Sequence, residues 1–199
     1  MRCIYQIYQH AALALGAAVL AGSAFAQSTT LAGVSYLSPL QLQGQSLQLN
    51  GAGIRYKTVV QVYTAGLYLE SKAPNAPAIT ELQGPKRLSL TMLREVKSGE
   101  LGRLFMRGME ENIDKASFTK LLPSVARMSQ IFSDYKNLQA GDQITMDWIP
   151  GVGTVITVKG KVQGAPFEDA LFYQALLGIW LGERPADWKL KEALLGQVS

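Results

Sequence analysis

The apolar residues of this chain hold one spacing for a stretch and then switch to another, and the order of the switches restricts the fold more than any single motif. Ile54 to Leu69 (IRYKTVVQVYTAGLYL) is β-branched and aromatic without a helical period, which predicts one long strand bent at Gly66. Lys72 to Pro85 holds three prolines and predicts a loop, after which Leu88, Leu90 and Met92 alternate on one face of a second strand. From Ser98 the period becomes helical: Leu101, Leu104, Phe105, Met109 and Ile113 recur, with Arg103, Arg107, Glu110 and Glu111 on the other side. A second helix carries Leu121, Val125, Met128, Phe132 and Tyr135, with Pro123 placed in its first turn. Ile144, Met146 and Trp148 return to alternation, Pro150 to Gly153 turns, and Thr154 to Val158 completes a hairpin. Phe167 to Leu181 is apolar nearly all round and predicts a helix covered on most sides, followed by a short one over about Asp187 to Leu195.

Strands, two helices, strands, two helices is not the regular alternation of a parallel βαβ protein. The expectation is an α+β fold, an antiparallel β-sheet with a layer of helices packed on one face. A cleft between sheet and helices is then the natural place for a small amphipathic ligand.

The first 26 residues stand apart. Arg2, the apolar run Ala11 to Gly22, and Ser23-Ala24-Phe25-Ala26 predict a secretory signal peptide cleaved after Ala26. The run is shorter than the roughly 18–20 residues a membrane helix needs, so no stable membrane span is expected in the mature chain. Residues 27–48 form a polar, Gln-rich segment, predicted as a loosely attached arm and an edge strand, and 49–199 a single domain. The mature protein is expected to be periplasmic or secreted.

Removal of that leader removes chemistry. The only Cys (Cys3) and the only His (His10) lie in it, which excludes Ser-His-Asp and Cys-His nucleophile systems, disulfides and ordinary zinc sites. No cofactor or metal is expected. The 19 basic and 15 acidic residues are scattered without a block of like charge, which excludes a nucleic-acid footprint.

On an uninterrupted strand from Arg55 to Tyr63, side chains of equal parity share one face, so a guanidinium and a phenol point into the same space. A guanidinium matches a carboxylate with a planar fork of donors, and a Tyr hydroxyl adds one more hydrogen bond. Leu101, Phe105, Met109 and Phe132 would hold an apolar tail, and Arg94, which continues the parity of Met92, is a second candidate for the head group. Two other readings stay open: Arg55 on a solvated edge face, or paired internally with Glu95 or Glu110. Arg94 equally fits a strand end facing solvent, and the apolar helix residues equally fit a plain core.

Leu49-Asn50-Gly51-Ala52-Gly53-Ile54-Arg55 with Val62-Tyr63-Thr64-Ala65-Gly66-Leu67-Tyr68-Leu69 resembles the opening strands of chalcone isomerase-like proteins, in particular the secreted bacterial branch. Ile179-Trp180-Leu181-Gly182, then Pro185-Ala186-Asp187 and Leu190 to Gly196, resembles its C-terminal end. The resemblance spans roughly Leu49 to Gly196 and implies an open-faced sandwich with a ligand between sheet and helices. It implies that Arg55 holds the ligand's oxyanion. The catalytic Thr of the plant isomerases is replaced by Tyr63, and three further polar positions fall near Leu101, Gly108 and Ile179. An Arg with a Tyr at the carboxylate is similar to the fatty-acid-binding members. The implied function is non-catalytic binding of a small amphipathic carboxylate such as a fatty acid. The alternative is an isomerase of the intramolecular lyase type acting on chalcone-like aromatic enones or a related aromatic phenol, where Arg55 and Tyr63 stabilise an oxyanion and Lys57 or Tyr56 assists.

Overall fold

A computed structural model describes residues 27–197. Eleven strands and five helices follow in the order β1 (Gln27–Leu31), β2 (Val34–Ser38), β3 (Leu40–Leu42), β4 (Gln45–Lys57), β5 (Val60–Leu69), α1 (Ala76–Glu81), β6 (Lys86–Met92), β7 (Val96–Lys97), α2 (Ser98–Glu111), α3 (Lys115–Ser133), β8 (Asn137–Leu138), β9 (Gln143–Ile149), β10 (Gly153–Val158), β11 (Lys161–Val162), α4 (Ala170–Leu181) and α5 (Trp188–Leu194). Seven strands form one antiparallel sheet in the order β11-β10-β9-β6-β5-β4-β3. Helices cover one face of it, as the order of periodicities requires. The predicted signal segment lies outside the described residues.

Alternation along the strands separates the two faces. Tyr63, Ala65, Leu67 and Leu69 of β5, Leu88, Leu90 and Met92 of β6, and Ile144 and Met146 of β9 face the helices and join one core. That core takes Leu101, Phe105 and Met109 from α2, Leu121, Val125, Met128 and Phe132 from α3, and most of α4. The all-round apolar character of α4 is thereby explained: eight of its twelve residues are buried.

Five details depart from the sequence expectations. The stretch 54–69 is not one strand but parts of two, β4 and β5, joined by the two-residue loop Thr58-Val59 with Thr58 at φ 59. Lys57 pairs with Val60 across that loop, a hairpin that no Gly, Asn or Asp announces. The loop 72–85 contains the short α1, capped by Asn75, whose side chain accepts from Ala78 N, with Pro77 in its first turn. Pro123 lies inside α3, which begins earlier, at Lys115, because Asp114 accepts from Ser117 N and caps it. The N-terminal residues are no loose arm. The β1–β2 hairpin lies on the face of the sheet away from the helices, where Tyr36 is 3% exposed and joins Leu42, Leu47, Leu49 and Tyr68 in a second core. The Tyr36 ring occupies the place where a Cβ on Gly66 would sit, and its hydroxyl donates to Thr64 Oγ1 at 2.7 Å. Gly66 is thus a slot for a ring rather than a bend.

Candidate functional site

A cleft of about 630 Å³ opens at the hairpin end of the helix layer. Its walls are the β4–β5 hairpin (Arg55, Lys57, Val62, Tyr63), the segment 94–97, one side of α2, Ile179 of α4 and the loop 184–186. The side of α2 that faces it carries Glu100, Leu101, Leu104, Phe105, Arg107, Gly108 and Glu111, the three- and four-residue spacing of a single helical stripe.

Arg55 and Tyr63 meet there, for a reason other than the expected one. They are directly opposed partners across the β4–β5 ladder, and opposed residues share a face. A register irregularity after Arg55 lets the pair hold this relation beside the tight loop. Tyr63 is buried and its oxygen accepts from Trp180 Nε1 at 2.9 Å. With its acceptor side so engaged, the phenol is left to act as a donor. Burial pushes its pKa up to about 12, against the smaller opposing pulls of the Trp180 hydrogen bond and the neighbouring Arg55 charge. It stays a neutral phenol at any ordinary pH.

Arg55 is paired, and neither Glu95 nor Glu110 is its partner. Its Nη1 donates to Asp187 Oδ2 at 3.3 Å. The same oxygen accepts from Tyr56 N at 3.1 Å, while Asp187 Oδ1 accepts from Lys189 N and Leu190 N as the N-cap of α5. Asp187 reaches this point because α5 lies directly on β4. Gly51 and Gly53 make that approach possible: a Cβ at Gly51 would run into the Ala193 carbonyl, and one at Gly53 into the Ala193 and Leu190 side chains. The Gly-Ala-Gly run of the sequence is therefore a helix-docking surface, and it acts on the site through Asp187. The ion pair holds the guanidinium by Nη1, and among the described residues its other nitrogens have no carboxylate partner.

The remaining predicted site residues divide. Leu101 and Phe105 line the cleft, and Phe105 packs edge-on against both Trp180 and Phe132 at 5.2 Å. Met109 and Phe132 do not line it; both are fully buried. Met109 is rotated about 100° from Gly108 on the helix and faces the core, and Phe132 sits on α3 behind α2, against Gly102. Arg94 is exposed at the rim beyond the end of β6 and donates to the Glu95 carbonyl. Sequence reasoning did not assign Trp180, Asp187 or the rim cations Lys97, Arg107 and Arg184 to the site. A Trp buried in an apolar helix needs a partner for its N–H, and that is the signal Trp180 offered. Asp187 was visible only as a helix start. The six basic and three glutamate side chains lining the cleft give it a positive balance. Among the described residues no group of three or more His, Cys, Asp or Glu is placed to hold a metal ion.

The profile of the family described as chalcone isomerase-like matches residues 28–196. The chain belongs to the chalcone isomerase-like family. Among solved structures, this chalcone isomerase-like protein is similar to a fatty-acid binding protein of Arabidopsis thaliana, with a TM-score of 0.66 and 17% identity over 85% of this chain and 96% of that one. No curated protein matches. The fold is therefore that of the family, with the sheet curled beneath the helices. The three positions at which the resemblance implied polar groups, Leu101, Gly108 and Ile179, all border the cleft. They present two aliphatic side chains and a glycine. Asn112, at the end of α2, fixes the opposite wall: its amide donates to the Gly108 and Arg184 carbonyls and its oxygen accepts from Arg184 N.

Proposed function

We propose that this chalcone isomerase-like protein binds a small amphipathic carboxylate, such as a fatty acid, without transforming it. The observation that carries this reading is the pairing of the Arg55 guanidinium with the Tyr63 hydroxyl, which Trp180 orients as a donor, at one wall of a cleft that also presents the apolar side chains of Leu101, Leu104, Phe105 and Ile179 inside a charged rim. A carboxylate accepts from both. Charge-assisted hydrogen bonds of this kind contribute about 1.5–3 kcal/mol each. A chain lying on Leu101, Leu104, Phe105 and Ile179 gains about 0.8 kcal/mol for every buried methylene. The volume falls in the range of roughly 300–1,000 Å³ usual for small-molecule sites. The likeness to an Arabidopsis fatty-acid binding protein supports this assignment. At the wall that carries Arg55, Tyr63 keeps its proton and Leu101, Gly108 and Ile179 carry no group that exchanges one, which supports binding without turnover.

The test is binding. Mass spectrometry of extracts from natively purified protein should find a long-chain carboxylate, and titration with a fluorescent fatty acid should give a saturable site. Arg55→Ala should weaken it about 10- to 100-fold. An affinity unchanged by that substitution, or acceleration of chalcone ring closure above the buffer rate that Arg55→Ala abolishes, would replace carrier by isomerase or remove the site. The leader segment supports export to the periplasm or beyond. Protein recovered from that compartment should begin at Gln27.

A further inference from the structure

A second cleft, of about 490 Å³, lies between α1, one side of α4 along its length, and the strand ends of the central pair β6 and β9 at Lys86 and Trp148. Its walls include Ile79 of α1 and Leu82 at its C-terminal cap, Leu177 and Leu181 of α4, and Trp148 with Tyr173 packed against it, ring centroids 5.9 Å apart. It contains one cation. Lys86 is the cross-strand partner of Trp148, has the parity of Leu88 and Leu90, and so lies on the helix side of the sheet, where it is only 5% exposed. Lysine is almost never so buried unless paired.

No carboxylate pairs with it. Among the described residues no Asp or Glu oxygen is within 4 Å of Lys86 Nζ, whereas Arg55, Arg87 and Lys159 each have one. Lys86 Nζ instead donates to the Leu82 carbonyl at 2.6 Å and the Gly84 carbonyl at 3.4 Å, which leaves its third proton without an acceptor. The nearest counter-charge is Glu70, too distant for an ion pair; its carboxylate accepts from Gly84 N. Burial lowers the lysine pKa and Glu70 opposes that weakly, as expected for a cation short of an anion. Tyr173 adds a second unmet need: its hydroxyl is buried with no hydrogen-bond partner among the described residues.

We infer that this cleft is a second binding site, for a small organic monoanion with an apolar body, and that the Lys86 ammonium is its counter-ion. The body lies against Ile79, Trp148 and Leu177, and the head group supplies the acceptor that Lys86 lacks. The site is independent of Arg55, because it lies on the other side of α4 and shares no lining residue with the first cleft.

Calorimetric titration with 1-naphthoate tests it on an Arg55→Ala background, where the first site is weakened. One saturable site should persist there. Adding Lys86→Met, which keeps the apolar stem and removes the charge, should weaken that site at least 10-fold. Thr80→Trp, which fills the cleft from an exposed position on α1 and leaves Lys86 untouched, should abolish it, so the outcome does not depend on the lysine variant folding. Absence of naphthoate binding to folded Arg55→Ala protein, or residual binding that neither added substitution changes, overturns the inference. Neither result bears on the first cleft, which the effect of Arg55→Ala on fatty-acid affinity decides by itself.

Discussion

Tyr63 shows how much of this site depends on single side chains held in the wrong solvent. A buried phenol ionises only with difficulty, and Tyr36 and Tyr68 share the condition: burial raises all three to about 12 from the usual 10. Between those values the folded state keeps protons that the unfolded chain has released, so stability is complete below pH 10 and falls as pH rises toward 12. The loss should reach about 2 kcal/mol per tyrosine at pH 12. Denaturant melts between pH 9 and 12 should show it, and Tyr63→Phe should flatten the curve. Of the residues named from sequence, Arg55 and Tyr63 are together, and Leu101 and Phe105 line the wall beside them. Met109 and Phe132 belong to the core because apolar periodicity marks a buried stripe without saying whether a cleft or a neighbouring helix covers it. Asp187 was beyond reach, since a contact 132 residues away in sequence leaves no local pattern.

Among the elements, the pair β4 and α5 does most to shape the site. Strand periodicity gave the core face of the sheet, the β9–β10 hairpin and the amphipathic helices correctly, since each depends on the alternation of neighbours. What it missed turned on one residue at a time: Thr58 taking a left-handed conformation splits a continuous β-like run into two strands, and Asp114 moves the start of α3 ahead of Pro123. Gly51 and Gly53 are the clearest case. Read as punctuation before a strand, they lie within β4 and admit α5 to contact. Gly53→Val would force the helix off its seat. It should cost about 1–3 kcal/mol or more, visible as a lowered Tm, and should weaken fatty-acid binding as well, because Arg55 loses its partner. Unchanged affinity in a destabilised variant would separate the helix from the site.

In the whole molecule, the sheet is shared by two cores of unequal size, the larger under the helices and the smaller under the N-terminal hairpin. Among the described residues no helix is long and apolar enough to cross a membrane. Tyr36 joins the two halves, since it fills the slot at Gly66 on the very strand that carries Tyr63 on its other face. Tyr36→Ala should cost about 3–5 kcal/mol in a chemical denaturation series, and Tyr36→Phe about 1. Equal small losses would mean that the hairpin contributes little to the fold. Asp187 has a longer reach than its size suggests. One side chain both tethers the last helix to the sheet and aims the guanidinium, so under the proposed function a carboxylate on Arg55 and the seating of α5 alter one another by the same factor, the reciprocity that all coupled equilibria obey.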